Sequence, residues 1–93
     1  MRRRLLITPK VQAALRTFPP ETKRTLRRAL EDICKDPWIG KPLRDEFAGL
    51  YSLRARRFRV IYQIQRQTIT VVVIAIGPRE RVYEELAAGM GPA

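Results

Sequence analysis

Histidine is absent from this chain, and cysteine occurs once, at Cys34. The first shortage removes the usual imidazole base and the commonest metal ligand. The second removes any internal disulfide and any cysteine metal cluster, and leaves Cys34 to be read as a small buried side chain. Asp and Glu do not pair within the segments that read as strands, so metal-dependent hydrolysis and glycosidase chemistry are both disfavoured. Gly49 and Gly77 stand alone, without the lysine and companion glycines of a phosphate-cradling loop, and no cofactor is expected. No run approaches the roughly 20 apolar residues of a membrane span. The N-terminal arginines lead only into Leu5, Leu6 and Ile7, too short a stretch for a signal peptide, so a cytoplasmic protein without membrane contact is expected. Acidic residues are the last shortage. None falls between Glu46 and Glu80, a stretch that holds Arg54, Arg56, Arg57, Arg59, Arg66 and Arg79.

What the chain does have is enough apolar material for one small core: 45% of its 93 residues are hydrophobic. A chain this short cannot divide its buried surface into two cores, so residues 1–93 are expected to form one domain, with 89–93 as a tail. Its formal charge of +10 calls for a polyanionic partner. Arginine dominates lysine in the acid-free stretch, and its planar fork matches phosphate oxygens two at a time.

Along the chain, Arg4 to Ile7 reads as a short strand. Thr8 and Pro9 then supply an N-cap and a first helical residue. The first helix runs to about Thr17, with Val11, Ala14, Leu15 and Phe18 at helical spacing, and Pro19-Pro20 stops it. A second helix from about Glu21 to Lys35 carries the stripe Leu26, Ala29, Leu30, Ile33, which makes a helical hairpin. Asp36 to Pro42 reads as a loop whose Trp38 and Ile39 plug a helix end. Strands follow at Leu50 to Arg56, Phe58 to Gln65 and Thr68 to Ile76, the last two joined by a tight Arg66-Gln67 turn. Alternation puts Tyr51, Leu53 and Ala55 on one face and Ser52, Arg54 and Arg56 on the other. In the next strand Phe58, Val60, Tyr62 and Ile64 oppose Arg59, Ile61 and Gln63, so Arg59 joins Arg54. The last strand is apolar on both sides from Val71 onward, which marks a central strand covered twice. The fold class is α+β: an N-terminal strand and a helical hairpin packed on an antiparallel sheet.

The chemistry left by these exclusions is one that arginines and a tyrosine can support. RNA carries its own nucleophile, the 2′-hydroxyl, so an enzyme needs to position the backbone, assist proton transfers and stabilise added negative charge. Arginine suits the last task and is a poor proton shuttle. Tyr83, just beyond the last strand, is the candidate for proton transfer; its bland reading is a ring that caps the core. Arg59 has a bland reading too, an ion pair across the sheet. Tyr62 and Tyr51 read as core.

Three segments, Gly49-Leu50-Tyr51-Ser52-Leu53-Arg54, then Arg57-Phe58-Arg59-Val60-Ile61-Tyr62, then Ile76-Gly77-Pro78-Arg79-Glu80-Arg81-Val82-Tyr83, together resemble the RelE/ParE toxin superfamily. The resemblance runs from about Arg4 to Leu86. It implies a microbial-ribonuclease-like fold, a cognate antitoxin protein as partner and, in the RelE branch, cleavage of mRNA in the ribosomal A site. Carried over position by position, Arg59, Arg79 and Tyr83 match the family's catalytic set, and Arg54 stands where those toxins have a catalytic lysine. Ser52 stands where the nuclease has another lysine, and Pro78 where many relatives have histidine or lysine. Arg56, Arg57, Arg81 and Ser52 are assigned to RNA binding, with Arg56 or Arg57 able to replace the missing positive charge. The alternative is a ParE-like toxin that is not a nuclease and inhibits DNA gyrase; such relatives generally lack the arginine and tyrosine set.

Overall fold

A computed structural model describes residues 3–89. The chain runs β1 (Arg4–Ile7), α1 (Pro9–Thr17), α2 (Pro20–Lys35), β2 (Lys41–Pro42), β3 (Leu50–Ala55), β4 (Phe58–Gln65), β5 (Thr70–Pro78) and α3 (Arg79–Gly89). Thr8 caps α1 as its type predicts, its hydroxyl accepting from the Val11 N–H at 3.3 Å. Pro20 then opens α2, where its missing N–H costs nothing.

The five strands form one sheet in the order β1-β5-β4-β3-β2. Three of the four pairings are antiparallel; β1 lies parallel to β5, and the helical hairpin carries the chain from β1 at one edge of the sheet to β2 at the other. The hairpin packs on one face, where Val11, Leu26, Leu30 and Ile33 meet Ala55, Val60, Tyr62, Val71 and Val73. On the opposite face α3 lays Val82 and Leu86 on Leu50 and Ile61. The alternation expected in β3 and β4 is what separates these two sets. In β5 the alternation breaks, because Ile61 pairs with Ala75 and Tyr62 with Val73, leaving Ile74 as an extra residue. Ile74 and Ala75 then both pack on the α3 side, while Val71, Val73 and Ile76 face the hairpin.

Several local expectations are corrected. β3 ends at Ala55, and Arg56 sits in the turn with φ of 59°, off the face assigned to it. The β4–β5 connection takes four residues, 66–69, because Gln65 pairs with Thr70; Ile69 adopts φ of 52° there. β5 starts later than expected and extends to Pro78, which pairs with Phe58. Proline is tolerated at that end because β1 accompanies β5 only through Thr70–Val73, so no second ladder needs its N–H. The plug beside α2 is Pro37, fully buried, whereas Trp38 and Ile39 are 49% and 43% exposed. Lys41 and Pro42, expected in a loop, pair with Ser52 and Tyr51 as an edge strand. Gly89 closes α3, and the remainder of the expected tail, residues 90–93, lies outside the described residues. Cys34 is buried at the end of α2.

Candidate functional site

Arg54 and Arg59 are direct partners across β3 and β4, so their side chains leave the sheet on the same face. Like charges set opposite one another destabilise a sheet. Neither is relieved by an acid: among the described residues, no carboxylate stands within ion-pairing distance of Arg54, Arg59 or Arg79. Arg54 instead donates from Nε to the Arg56 carbonyl at 3.1 Å, which braces the turn where Arg56 takes its left-handed conformation. The ion pair that would give Arg59 a structural role is therefore not formed.

α3 completes the site. Tyr83 was expected just beyond a strand; it lies on a helix that begins at Arg79. Positions i and i+4 of a helix share a face, so Arg79 and Tyr83 both overhang the sheet, while Val82 and Leu86 anchor the helix below them. The glycine-x-arginine-x-x-x-tyrosine spacing is thus a strand end followed by one helical turn. The Tyr83 hydroxyl donates to Ser52 Oγ at 3.3 Å, and its ring packs against Phe47 with centroids 5.9 Å apart. That hydrogen bond is long for two hydroxyls, and the phenol is half-buried rather than sealed.

One groove gathers Arg54, Arg59, Arg79 and Tyr83, with Ser52 in its wall and Ile39, Leu43 and Phe47 as its apolar side. It also takes in Lys41, which sequence reasoning missed. The only available signal was its nearness to the strand pair, because two residues are too few to show a period. Arg56 and Arg57 line a second concavity with Pro78 and Glu80, separated from Tyr83 by the same three arginines. Neither lines the groove that holds Ser52. Arg81 is exposed on α3 and lines neither concavity.

Tyr62 shows how differently a tyrosine is used on the hairpin face. Its hydroxyl donates to the Pro37 carbonyl at 2.6 Å and accepts from the Gly40 N–H at 3.0 Å. Burial pushes this phenol up to about 12; the Gly40 hydrogen bond opposes the shift, and nearby Tyr51 and Asp36 add to it. A Cβ on Gly40 would collide with the Tyr62 hydroxyl, which is why the position is glycine.

A family model described as the ParE toxin of the type II toxin-antitoxin system parDE matches residues 5–83. Toxin RelG of Mycobacterium tuberculosis is 38% identical over 56 residues, 59% of this chain and 64% of that toxin. The match therefore spans just under two thirds of that relative's length. The toxin-antitoxin complex RelBE2 from the same organism contains a chain with a TM-score of 0.77 and 30% identity, covering 85% of this chain and all of that one. A variant of E. coli toxin RelE in the free state has a TM-score of 0.77 at 22% identity, covering 96% of this chain and 98% of its own, and shares the fold. With the helical hairpin, the mostly antiparallel sheet and the matched segment agreeing, this chain belongs to the RelE/ParE superfamily of type II toxin-antitoxin toxins.

Proposed function

We propose that this toxin is a ribosome-dependent mRNA endonuclease that cleaves by attack of a 2′-hydroxyl on the adjacent phosphate, without a metal. The observation that carries the reading is the cross-strand pair Arg54 and Arg59, joined by Arg79 in one groove, with no carboxylate among the described residues in ion-pairing distance of any of the three. A cluster of unbalanced guanidinium groups is costly in an empty site and favourable around a phosphate that gains charge in the transition state. Arg59 holds the backbone phosphate, Arg79 and Arg54 meet the developing phosphorane, and Tyr83 takes part in proton transfer. Arg56 and Arg57 extend the phosphate contacts beyond the groove, and Arg81 adds positive charge on α3. The ribosomal A site presents the message, the cell compartment is the cytoplasm, and a cognate antitoxin neutralises the toxin, as the complex RelBE2 pairs a relative with its antitoxin.

Mapping RNA ends after induction of the toxin in cells tests this reading. Cuts inside translated codons are expected, leaving 2′,3′-cyclic phosphate ends. A second reading, inhibition of DNA gyrase, is favoured by the ParE description of the matched family model. Growth arrest with intact messages and DNA-damage signalling would select it and overturn the nuclease.

A further inference from the structure

We propose that Lys41 is the proton donor to the departing 5′-oxygen, an inference that rests on the nuclease reading above. In-line cleavage of RNA needs two proton transfers: one away from the 2′-hydroxyl and one onto the 5′-oxygen that leaves. Three of the basic groups in the groove are arginines, which do not release a proton in proteins. Tyr83 and Lys41 are the side chains there that can exchange one, and the chain has no histidine to take either part.

Lys41 reaches the groove through strand geometry. It is the direct partner of Ser52 across the β2–β3 ladder. Directly opposed residues of an antiparallel pair project to the same face with Cβ atoms about 4.5 to 5.5 Å apart. Ser52 in turn accepts the hydrogen bond from Tyr83 at 3.3 Å. Ser52 thus links Lys41, its strand partner, to Tyr83, its hydrogen-bond partner, and all three line the groove with Arg54, Arg59 and Arg79. A lysine ammonium is a compact charge on a flexible four-carbon stem with three donors, suited to an oxygen whose position shifts as its bond breaks.

The 2′-oxygen forms a bond to phosphorus, and its proton passes to the base, Tyr83 or solvent. The bond from phosphorus to the 5′-oxygen breaks, and the Lys41 ammonium gives that oxygen a proton. The products are a 2′,3′-cyclic phosphate and a free 5′-hydroxyl, and the amine regains its proton from water. The competing account of Lys41 is an edge-strand lysine that discourages pairing with another chain. Such a lysine has no bearing on leaving-group chemistry.

Single-turnover cleavage of ribosome-bound message at saturating toxin separates the two. Lys41→Arg keeps the charge and loses the transferable proton. It is expected to cut an ordinary message about 10²-fold more slowly than wild type, the lower end of what general acids contribute. On a message whose scissile 5′-oxygen is replaced by sulfur, a leaving group that needs no proton, the variant should return to within about threefold of wild type if proton donation is the lost step. Equal rates for Lys41→Arg and wild type on the ordinary message would overturn the assignment while leaving the nuclease reading intact. A slow variant that sulfur does not rescue would overturn it as well. A wild-type toxin that cuts nothing on the ribosome would overturn both readings together.

Discussion

The two faces of the sheet treat their polar groups in opposite ways, and two tyrosines show it most directly. On the hairpin face Tyr62 is fully buried, with its hydroxyl held between the Pro37 carbonyl and the Gly40 N–H. On the α3 face Tyr83 is half-buried, with one long bond to Ser52 and a wall of arginines beside it. The first face is built for stability: its buried apolar set spans both helices of the hairpin and three strands, and among the described residues no buried side-chain polar atom lacks a hydrogen-bond partner. The second has a smaller apolar set, beneath α3, and beside it a groove that gathers Lys41, Arg54, Arg59 and Arg79. A chain this short keeps its site from destabilising its core by giving each a separate face of one sheet. Local conflict is then confined to the face where a phosphate would resolve it.

The largest expected effect is on the hairpin face. Leu26 is wholly buried in α2, and Leu26→Ala removes apolar area and leaves a cavity, at a cost of about 2 to 5 kcal/mol. Urea unfolding monitored by circular dichroism measures it through the midpoint. A loss under about 1 kcal/mol would mean that the hairpin collapses around the gap, and that this face is not the rigid one.

Arg79→Ala tests the opposite face. Removing a charge proposed to meet the phosphorane should slow single-turnover cleavage by roughly 10²-fold or more. Stability should move by no more than about 0.5 kcal/mol, since Arg79 is exposed and forms no ion pair among the described residues. A variant that loses stability instead of rate would erase the distinction between a face for folding and a face for chemistry.

How much of this was legible follows from the length of the periods involved. Helical and strand periodicity in Leu26 to Ile33 and in Leu50 to Gln65 extends over enough residues to sort the two faces. That sorting alone places Arg59 beside Arg54. Elements with short or interrupted patterns stayed hidden. β2 has two residues, and the extra residue at Ile74 breaks an alternation already blurred by apolar side chains on both sides. α3 was missed because it follows a strand without a loop and buries only Val82 and Leu86 among charged neighbours. Family resemblance nevertheless singles out Arg79 and Tyr83, and the helix supplies the physical reason they share one side. Lys41 had neither resemblance nor period to single it out.

Tyr62→Phe sharpens the comparison at a smaller scale. It removes one hydroxyl and leaves the Pro37 carbonyl and the Gly40 N–H without their partner in a buried place, a loss of about 1 to 3 kcal/mol. The wild type should also carry an alkaline signature. Because burial holds the folded phenol near 12 while an unfolded tyrosine titrates near 10, the folded state retains this proton longer than the unfolded chain does. The resulting stability is fully present below about pH 10 and is lost as pH rises from there towards 12. Tyr62→Phe should flatten that part of the profile, measured as the urea midpoint against pH. An unchanged slope would show that the phenol contributes nothing to alkaline unfolding.

Tyr83→Phe is the counterpart with the smallest effect on folding. The substitution keeps the ring, and with it the packing on Phe47, and removes one hydrogen bond of 3.3 Å at a half-buried site. The bond lost is long and only part-buried, whereas Tyr62→Phe strands two partners in a buried place, so the cost should stay near about 0.5 kcal/mol, the low end for a net hydrogen bond. Cleavage should nonetheless slow, because the lost hydroxyl is the one proposed to move a proton, while ribosome binding stays near that of wild type. Unfolding midpoints and single-turnover rates for Tyr83→Phe and Tyr62→Phe, measured side by side, are therefore expected to cross: one variant stable and slow, the other weakened and fast once folded. If Tyr83→Phe cuts as quickly as wild type at every pH tested, its ring is a cap on α3 and the base must be another group or solvent. The groove would then keep its arginines as phosphate contacts, and the tyrosines on the two faces would differ only in burial.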